Sequence, residues 1–143
     1  MIKDSKIKYF LKIADLVSTA SPDPSTKCGC VLTDNDGRIV GTGYNGFAKD
    51  TDNNWPLTRP EKYLYVIHSE LNAIMNSNVI LRHIGGGYAF VNRECCHNCL
   101  INMHNFGIHT VYQINRSFNS INKEAIKKVI EETKIKTFLV DLD

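Results

Sequence analysis

A chain of 143 residues is long enough for one well-buried core and too short for two ordinary domains, so residues 1–143 are read as a single domain. Apolar residues make up 43% and charged ones 22%, the balance of a globular fold. No apolar run approaches the ~20 residues of a membrane span, and Met1-Ile2-Lys3-Asp4-Ser5-Lys6 lacks the apolar core of a secretory signal. A cytoplasmic protein with no membrane partner is expected. The net charge of +2 and pI of about 8.3 lie below the pI above ~9 typical of nucleic-acid-binding domains, so no nucleic-acid partner is expected either.

In chain order, Ile7, Phe10, Leu11, Ala14 and Val17 give Lys6 to Val17 one apolar helical face. Ser18 to Ser25, with two prolines, ends that helix. Cys28 to Thr33 reads as a strand, Asp34-Asn35-Asp36-Gly37 as a tight turn, and Arg38 to Tyr44 as the returning strand of a hairpin. A long polar loop from Asn45 to about Pro60 holds Trp55, and loops of that length in a compact domain usually serve function. A helix is predicted from His68 to about Ser77, a strand from Tyr88 to Asn92, and a helix from Cys96 to a C-cap near Gly107. A strand from His109 to Ile114, an amphipathic helix from Ser120 to Thr133 and a strand from Ile135 to Val140 complete the chain. The last three strands are joined through helices, which makes them successively parallel. The sum is an α/β fold, a three-layer α-β-α sandwich with a mixed five-stranded sheet whose last strand is parallel.

The chemistry is concentrated in two short stretches. Five cysteines, crowded into Cys28/Cys30 and Cys95/Cys96/Cys99, do not suggest a disulfide framework and in a reducing compartment point to metal. Cys96 and Cys99, three apart at a helix start, place both sulfurs on one face, where the helix dipole favours thiolates. His68 begins the other helix. One nitrogen and two sulfurs leave a tetrahedral zinc with one open position, the mark of a catalytic rather than a structural site. Zinc lowers the pKa of a bound water to about 7, and Glu70, two residues past His68, is free to move its proton. His-x-Glu followed by Cys-x-x-Cys is the combination used by zinc nucleobase deaminases. A bare Cys-x-x-Cys is weak evidence, and so is a lone histidine at a helix start. His83, His97, His104 and His109 lack such company and read as surface or structural residues. Cys28 and Cys30 read as small buried hydrophobes on a central strand.

The likeness extends beyond the metal site. Asp23-Pro24-Ser25-Thr26-Lys27, Gly43-Tyr44-Asn45-Gly46-Phe47, Lys62-Tyr63-Leu64-Tyr65-Val66 and His68-Ser69-Glu70-Leu71-Asn72-Ala73-Ile74 resemble the successive motifs of deoxycytidylate (dCMP) deaminases over residues 5 to 140. The resemblance implies hydrolytic deamination of dCMP to dUMP with zinc, feeding thymidylate synthesis. It implies Asn45 at the sugar hydroxyl and the Ser69 backbone at the pyrimidine edge. It also implies a homohexamer activated by dCTP and inhibited by dTTP, with the loop Gly43, Tyr44, Asn45 and Gly46 near the effector. A nucleotide phosphate needs charge-assisted partners, for which Lys27, Arg59, Lys62 and Arg116 are candidates. Four positions depart from the family pattern. Cys95 stands where Pro is usual and leaves an extra thiol beside the metal, able to ligate or to pack. Ser69 replaces Ala and adds a hydroxyl near the base. Phe118 stands where a Tyr hydroxyl would meet the phosphate, and Ala48 replaces Pro. Two other functions are weighed against this one: a related zinc deaminase acting on a tRNA adenosine or on dCTP, and a catalytically silent zinc-binding regulatory protein. The weak basic charge argues against RNA, and a purely structural zinc has no need of a non-ligating Glu70.

Overall fold

The computed structural model describes residues 2–52, 54–116 and 121–142. Helix α1 (Asp4–Ser18) buries Ile7, Phe10, Leu11, Ala14 and Ser18 along one stripe, the spacing that the sequence pattern anticipates. Strands β1 (Gly29–Asp34) and β2 (Ile39–Tyr44) then pair antiparallel. The Asp34 carboxylate accepts the backbone N–H groups of Asp36 and Arg38, each at 2.9 Å, and Gly37 supplies a positive φ of 85°, which closes the turn.

Helix α2 (Ser69–Asn76) leads to β3 (Gly87–Val91), and α3 (His97–Phe106) to β4 (Ile108–Ile114). Helix α4 (Lys123–Thr133) leads to β5 (Lys136–Val140). The sheet order is β2-β1-β3-β4-β5. β1 and β3 are antiparallel, whereas β3, β4 and β5 run parallel, as helical crossovers demand. The strand alternation sends Cys30, Leu32, Ala89, Val91 and Val111 into one core with α2 and α3. Val31, Phe90 and Ile114 face α1 on the other side. β1 is therefore covered on both faces and buried along nearly its whole length, as suits an interior strand. The α-β-α sandwich with its parallel last strand is the architecture expected. No helix among the described residues is long and apolar enough to cross a membrane.

Helix α4 starts later than its periodicity suggests. Asn122 caps it, its side-chain oxygen accepting the Ala125 N–H at 3.0 Å, and Ser120, the expected start, lies outside the described residues. Two 3₁₀ turns, Glu61–Leu64 and Leu81–Ile84, escaped the sequence reading because a single turn has no apolar period to detect. The long loop is anchored rather than free. Gly46 bridges Ile67, Phe47 and Trp55 stack at 5.8 Å, and Trp55 meets Tyr65 at 5.3 Å.

Two glycines of β2 decide where α2 sits. A Cβ at Gly41 would lie 2.5 Å from the Ala73 carbonyl oxygen, and one at Gly43 would lie 2.2 Å from the Ala73 nitrogen and 2.6 Å from the Ser69 oxygen. The helix backbone rests directly on the strand, leaving no room for a side chain between them. Gly43→Val should therefore cost at least about 1–3 kcal/mol of stability through overpacking. Urea denaturation reads this, and a midpoint equal to that of the unmodified protein would contradict the contact.

Candidate metal centre and adjoining cavity

His68 is the N-cap of α2, with an extended backbone (φ −65°, ψ 150°) and a side chain that makes no capping bond. Its ring is thereby free to turn toward α3. Nδ1 lies 3.3 Å from Cys99 Sγ and 3.6 Å from Cys96 Sγ. Cys96 is the N-cap of α3, its sulfur accepting the Cys99 backbone N–H at 3.4 Å. Two helix N-termini thus converge on one point, and both favour negative charge there. The Cys96 thiol is lowered to about 4, chiefly by the hydrogen bond from Cys99, with the bond to His68 adding to it against the cost of burial. Cys99 moves the opposite way, held up as the donor of that bond and by burial. The bond to Cys96 likewise holds His68 in its charged form more readily than usual.

The fit to a metal follows from the donors themselves. The three ligand atoms lie within 4.8 Å of one another, close enough for one ion to reach all three. An imidazole nitrogen with two thiolates is a donor set that zinc accepts, and three ligands leave a fourth position open. Among the described residues no other group of three histidine, cysteine or acidic side chains meets this test. Cys95, the extra thiol, is 1% exposed and packs in the core. Burial, reinforced by the Glu70 charge, pushes its thiol well up, and its backbone N–H donates to Gln113 Oε1 at 2.7 Å. It packs rather than ligates.

Glu70 is 5% exposed, one residue into the first turn of α2. Ser69, fully buried, donates its hydroxyl to Glu70 Oε1 at 2.6 Å. The hydroxyl that Ser69 adds thus holds the carboxylate. His68, Ser69, Glu70 and Cys96 all line a cavity of about 310 Å³.

The structure sorts the other candidates. Asn45 reaches the cavity wall, but its amide already accepts the Cys28 N–H at 2.8 Å and donates to the Thr26 carbonyl at 2.9 Å. Lys27 is exposed, does not line the cavity, and turns its ammonium back to the Ser21 carbonyl. Arg116 is held by Asp15 at 2.7 and 3.1 Å. Lys62 lines the cavity, yet it is 3% exposed and bonded to Asp23 at 2.8 Å and Ser25 at 3.0 Å. Arg59 is exposed at the rim and donates to the Thr26 hydroxyl at 3.0 Å. Phe118 lies outside the described residues. Of the loop Gly43 to Gly46, Gly43 seats α2, while Tyr44 and Gly46 line a second cavity of about 520 Å³ with Phe47 and Trp55.

Cys28 and Arg93 are among the cavity residues that escaped the sequence reading. Cys30 is buried in the core as expected, but Cys28 lies on the cavity wall, where burial and then the Glu70 charge push its thiol to about 12. Arg93 is also on the wall. Its place just before the metal cysteines was the available signal.

Residues 4–114 match the family described as the cytidine and deoxycytidylate deaminase zinc-binding region. The chain belongs to that family. Among relatives of this deaminase-family chain, a probable deoxycytidylate deaminase of Caenorhabditis elegans is 45% identical over 83 residues, covering 54% of this chain and 42% of that one. An uncharacterized deaminase of Aliivibrio fischeri is 37% identical over 111 residues, covering 73% and 69% respectively. The chain thus spans under half the length of the deoxycytidylate deaminases it matches first. The dCMP deaminase of cyanophage S-TIM5, solved in apo form and with dCMP and dUMP, shares the fold with a TM-score of 0.76. It is 22% identical, and in the apo form the match covers 97% of this chain and 100% of that one.

Cys99→Ala should abolish stoichiometric zinc, which elemental analysis of the purified protein detects, since two ligands hold zinc far more weakly than three. Full occupancy in that variant would remove Cys99 from the ligand set. The Asp23–Lys62 pair carries a second expectation. Burial tends to raise the Asp23 carboxyl, but bonds from Lys62, Thr26 and Ser25 outweigh it and bring the group down from 3.8 to about 2. A carboxyl depressed on folding stabilises above its unfolded value and loses that contribution as pH falls through its folded value. Stability from this pair is therefore complete above about pH 5 and drains away toward pH 2. Asp23→Ala, by stranding a buried ammonium, should cost about 3–5 kcal/mol at neutral pH and flatten that acid limb. Chemical denaturation at a series of pH values measures both.

Proposed function

We propose that residues 1–143 form one zinc-dependent deaminase domain that hydrolyses dCMP to dUMP and ammonia, supplying dUMP for thymidylate synthesis. The observation that carries this reading is the His68–Cys96–Cys99 cluster beside buried Glu70 at one wall of a cavity. A structural zinc would need neither the open position nor the carboxylate. The curated relatives named deoxycytidylate deaminases, and the cyanophage enzyme of the same fold with its dCMP and dUMP, support the choice of nucleotide. A cavity of about 310 Å³ is within the range of small-molecule sites.

His68, Cys96 and Cys99 would hold the zinc, which when bound supplies a Lewis acid able to bring water close to ionisation at neutral pH. Glu70 does the proton work. As water oxygen bonds to C4 of the pyrimidine, one carboxylate oxygen takes its proton and delivers it to ring N3. The same carboxylate then moves a second proton, from the added hydroxyl to the exocyclic amine, as the C4–N bond breaks and ammonia leaves. Ser69, donating to Oε1 at 2.6 Å, fixes the rotamer of Glu70 through both transfers. Val66 and Val91 on the cavity wall present apolar surface, which strengthens each polar contact made inside.

The same resemblance supports a homohexamer in the cytoplasm, activated by dCTP and inhibited by dTTP. The second cavity, bounded by Tyr44, Gly46 and Trp55, is the place proposed for the effector.

Incubating the purified protein with dCMP, dCTP, cytidine and an adenosine-bearing RNA, while following ammonia release, separates the functions. Loss of amine from dCMP alone is expected. Turnover of RNA or dCTP would transfer the assignment to another substrate, and silence on all four with zinc bound would mean a regulatory protein. Glu70→Gln should keep zinc and lose at least about 10²–10⁴ in turnover, the worth of a positioned acid–base group. Near-normal rates in that variant would dismiss the proton role.

A further inference from the structure

Arg93 follows Asn92, one of the most constrained side chains in the protein. Asn92 is 1% exposed. Its amide oxygen accepts the Gly29 N–H at 2.8 Å, while its nitrogen reaches Asp15 Oδ1 and the Lys27 carbonyl, each at 3.1 Å. The backbone that carries Arg93 is therefore pinned to the ends of both α1 and β1. From it Arg93 enters the cavity wall within one residue of Glu94 and three of Cys96.

Among the described residues, two cations at the cavity have no ion pair, Arg59 and Arg93, and burial separates them. Lys62 is cancelled by Asp23 at 2.8 Å. Arg59 is solvent-exposed and bonded to the Thr26 hydroxyl. Asp15, close enough to feel the Arg93 charge, is already taken at both oxygens by Arg116. Arg93 has no ion pair among the described residues, and its Nε is buried with no hydrogen-bond partner among them. A buried guanidinium N–H left without an acceptor is costly unless a ligand supplies one.

We propose that Arg93 is a specificity-determining residue of the cavity that takes the phosphate monoester of the nucleotide, donating side by side from Nε and one Nη. This rests on the deamination reading for the identity of the ligand. The chemistry agrees: a guanidinium fork matches two phosphate oxygens, is always charged and is less strongly hydrated than an ammonium. A phosphate also provides the acceptor that the Nε–H lacks. A nucleoside without phosphate would leave that donor unpaired, so Arg93 both attracts the nucleotide and disfavours its dephosphorylated form.

The test is calorimetric titration of the zinc-loaded protein with dUMP and with deoxyuridine, which reads binding without turnover. In the unmodified protein dUMP should bind more tightly than deoxyuridine. Arg93→Gln should reduce that preference on the order of 10- to 100-fold, as expected for charge-assisted hydrogen bonds. Arg93→Lys should restore part of it, since a point charge replaces a fork. Thermal melts of each variant confirm folding. If Arg93→Gln weakens both ligands by the same factor, or neither, the assignment is overturned. It is overturned equally if the unmodified protein binds neither ligand. A preference that depends on Arg93 in a protein unable to deaminate dCMP would leave this inference standing and sink the functional reading instead. Deamination with a preference indifferent to Arg93 would do the reverse.

Discussion

The meeting of two helix N-termini at one point is the constraint on which this structure turns. Each start presents unsatisfied N–H groups and a partial positive charge, and together they stabilise the sulfur-borne negative charge that a zinc ligand set requires. The meeting is possible only because α2 lies directly on β2. Gly41 and Gly43 remove the side chains that would hold it off. α3 is placed by the β3–β4 crossover, so the distance between His68 Nδ1 and the two sulfurs is set by packing on a common sheet face.

Around that point, side chains stand in for backbone partners the sheet does not supply. Asn45 bonds the backbone at Thr26 and Cys28, and Asn92 bonds it at Gly29 and Lys27. The segment leading into β1 is thus clamped from both sides although it lies outside the strand ladder. Such accounting is obligatory for buried backbone groups. Its consequence is that an asparagine lining a cavity is not automatically a ligand-binding residue: the amide of Asn45 is spent on the scaffold. Lys62 makes the same point with charge: a cation at the cavity wall, neutralised by a carboxylate that accepts three further hydrogen bonds, contributes rigidity before it contributes recognition.

Much of the architecture was legible in the chain. Apolar periods marked α1 and α4, the C-cap near Gly107 marked the end of α3, the Asp34–Gly37 turn marked the hairpin, and helical connections foretold parallel β3, β4 and β5. The metal set was legible because metal chemistry restricts ligands to few residue types at short spacings, and His68, Cys96 and Cys99 carry those types at helix starts. The basic residues were not legible. Lys27 turns to Ser21, six residues away, but Arg59, Lys62 and Arg116 differ in fate through neighbours far along the chain: Thr26 lies 33 residues from Arg59, Asp23 39 from Lys62 and Asp15 101 from Arg116.

The sequence by itself determined the fold class, the family, the three metal-ligand candidates and the carboxylate beside them, since each depends on local pattern or on residue chemistry. Only the tertiary structure decided that Arg93 keeps a buried N–H without a partner among the described residues, that Ser69 serves Glu70, and that Cys95 packs while Cys28 faces the cavity. Those outcomes depend on which donors and acceptors meet across the fold. A buried polar group takes whichever partner comes within about 3 Å, and that proximity is written in packing rather than in order along the chain.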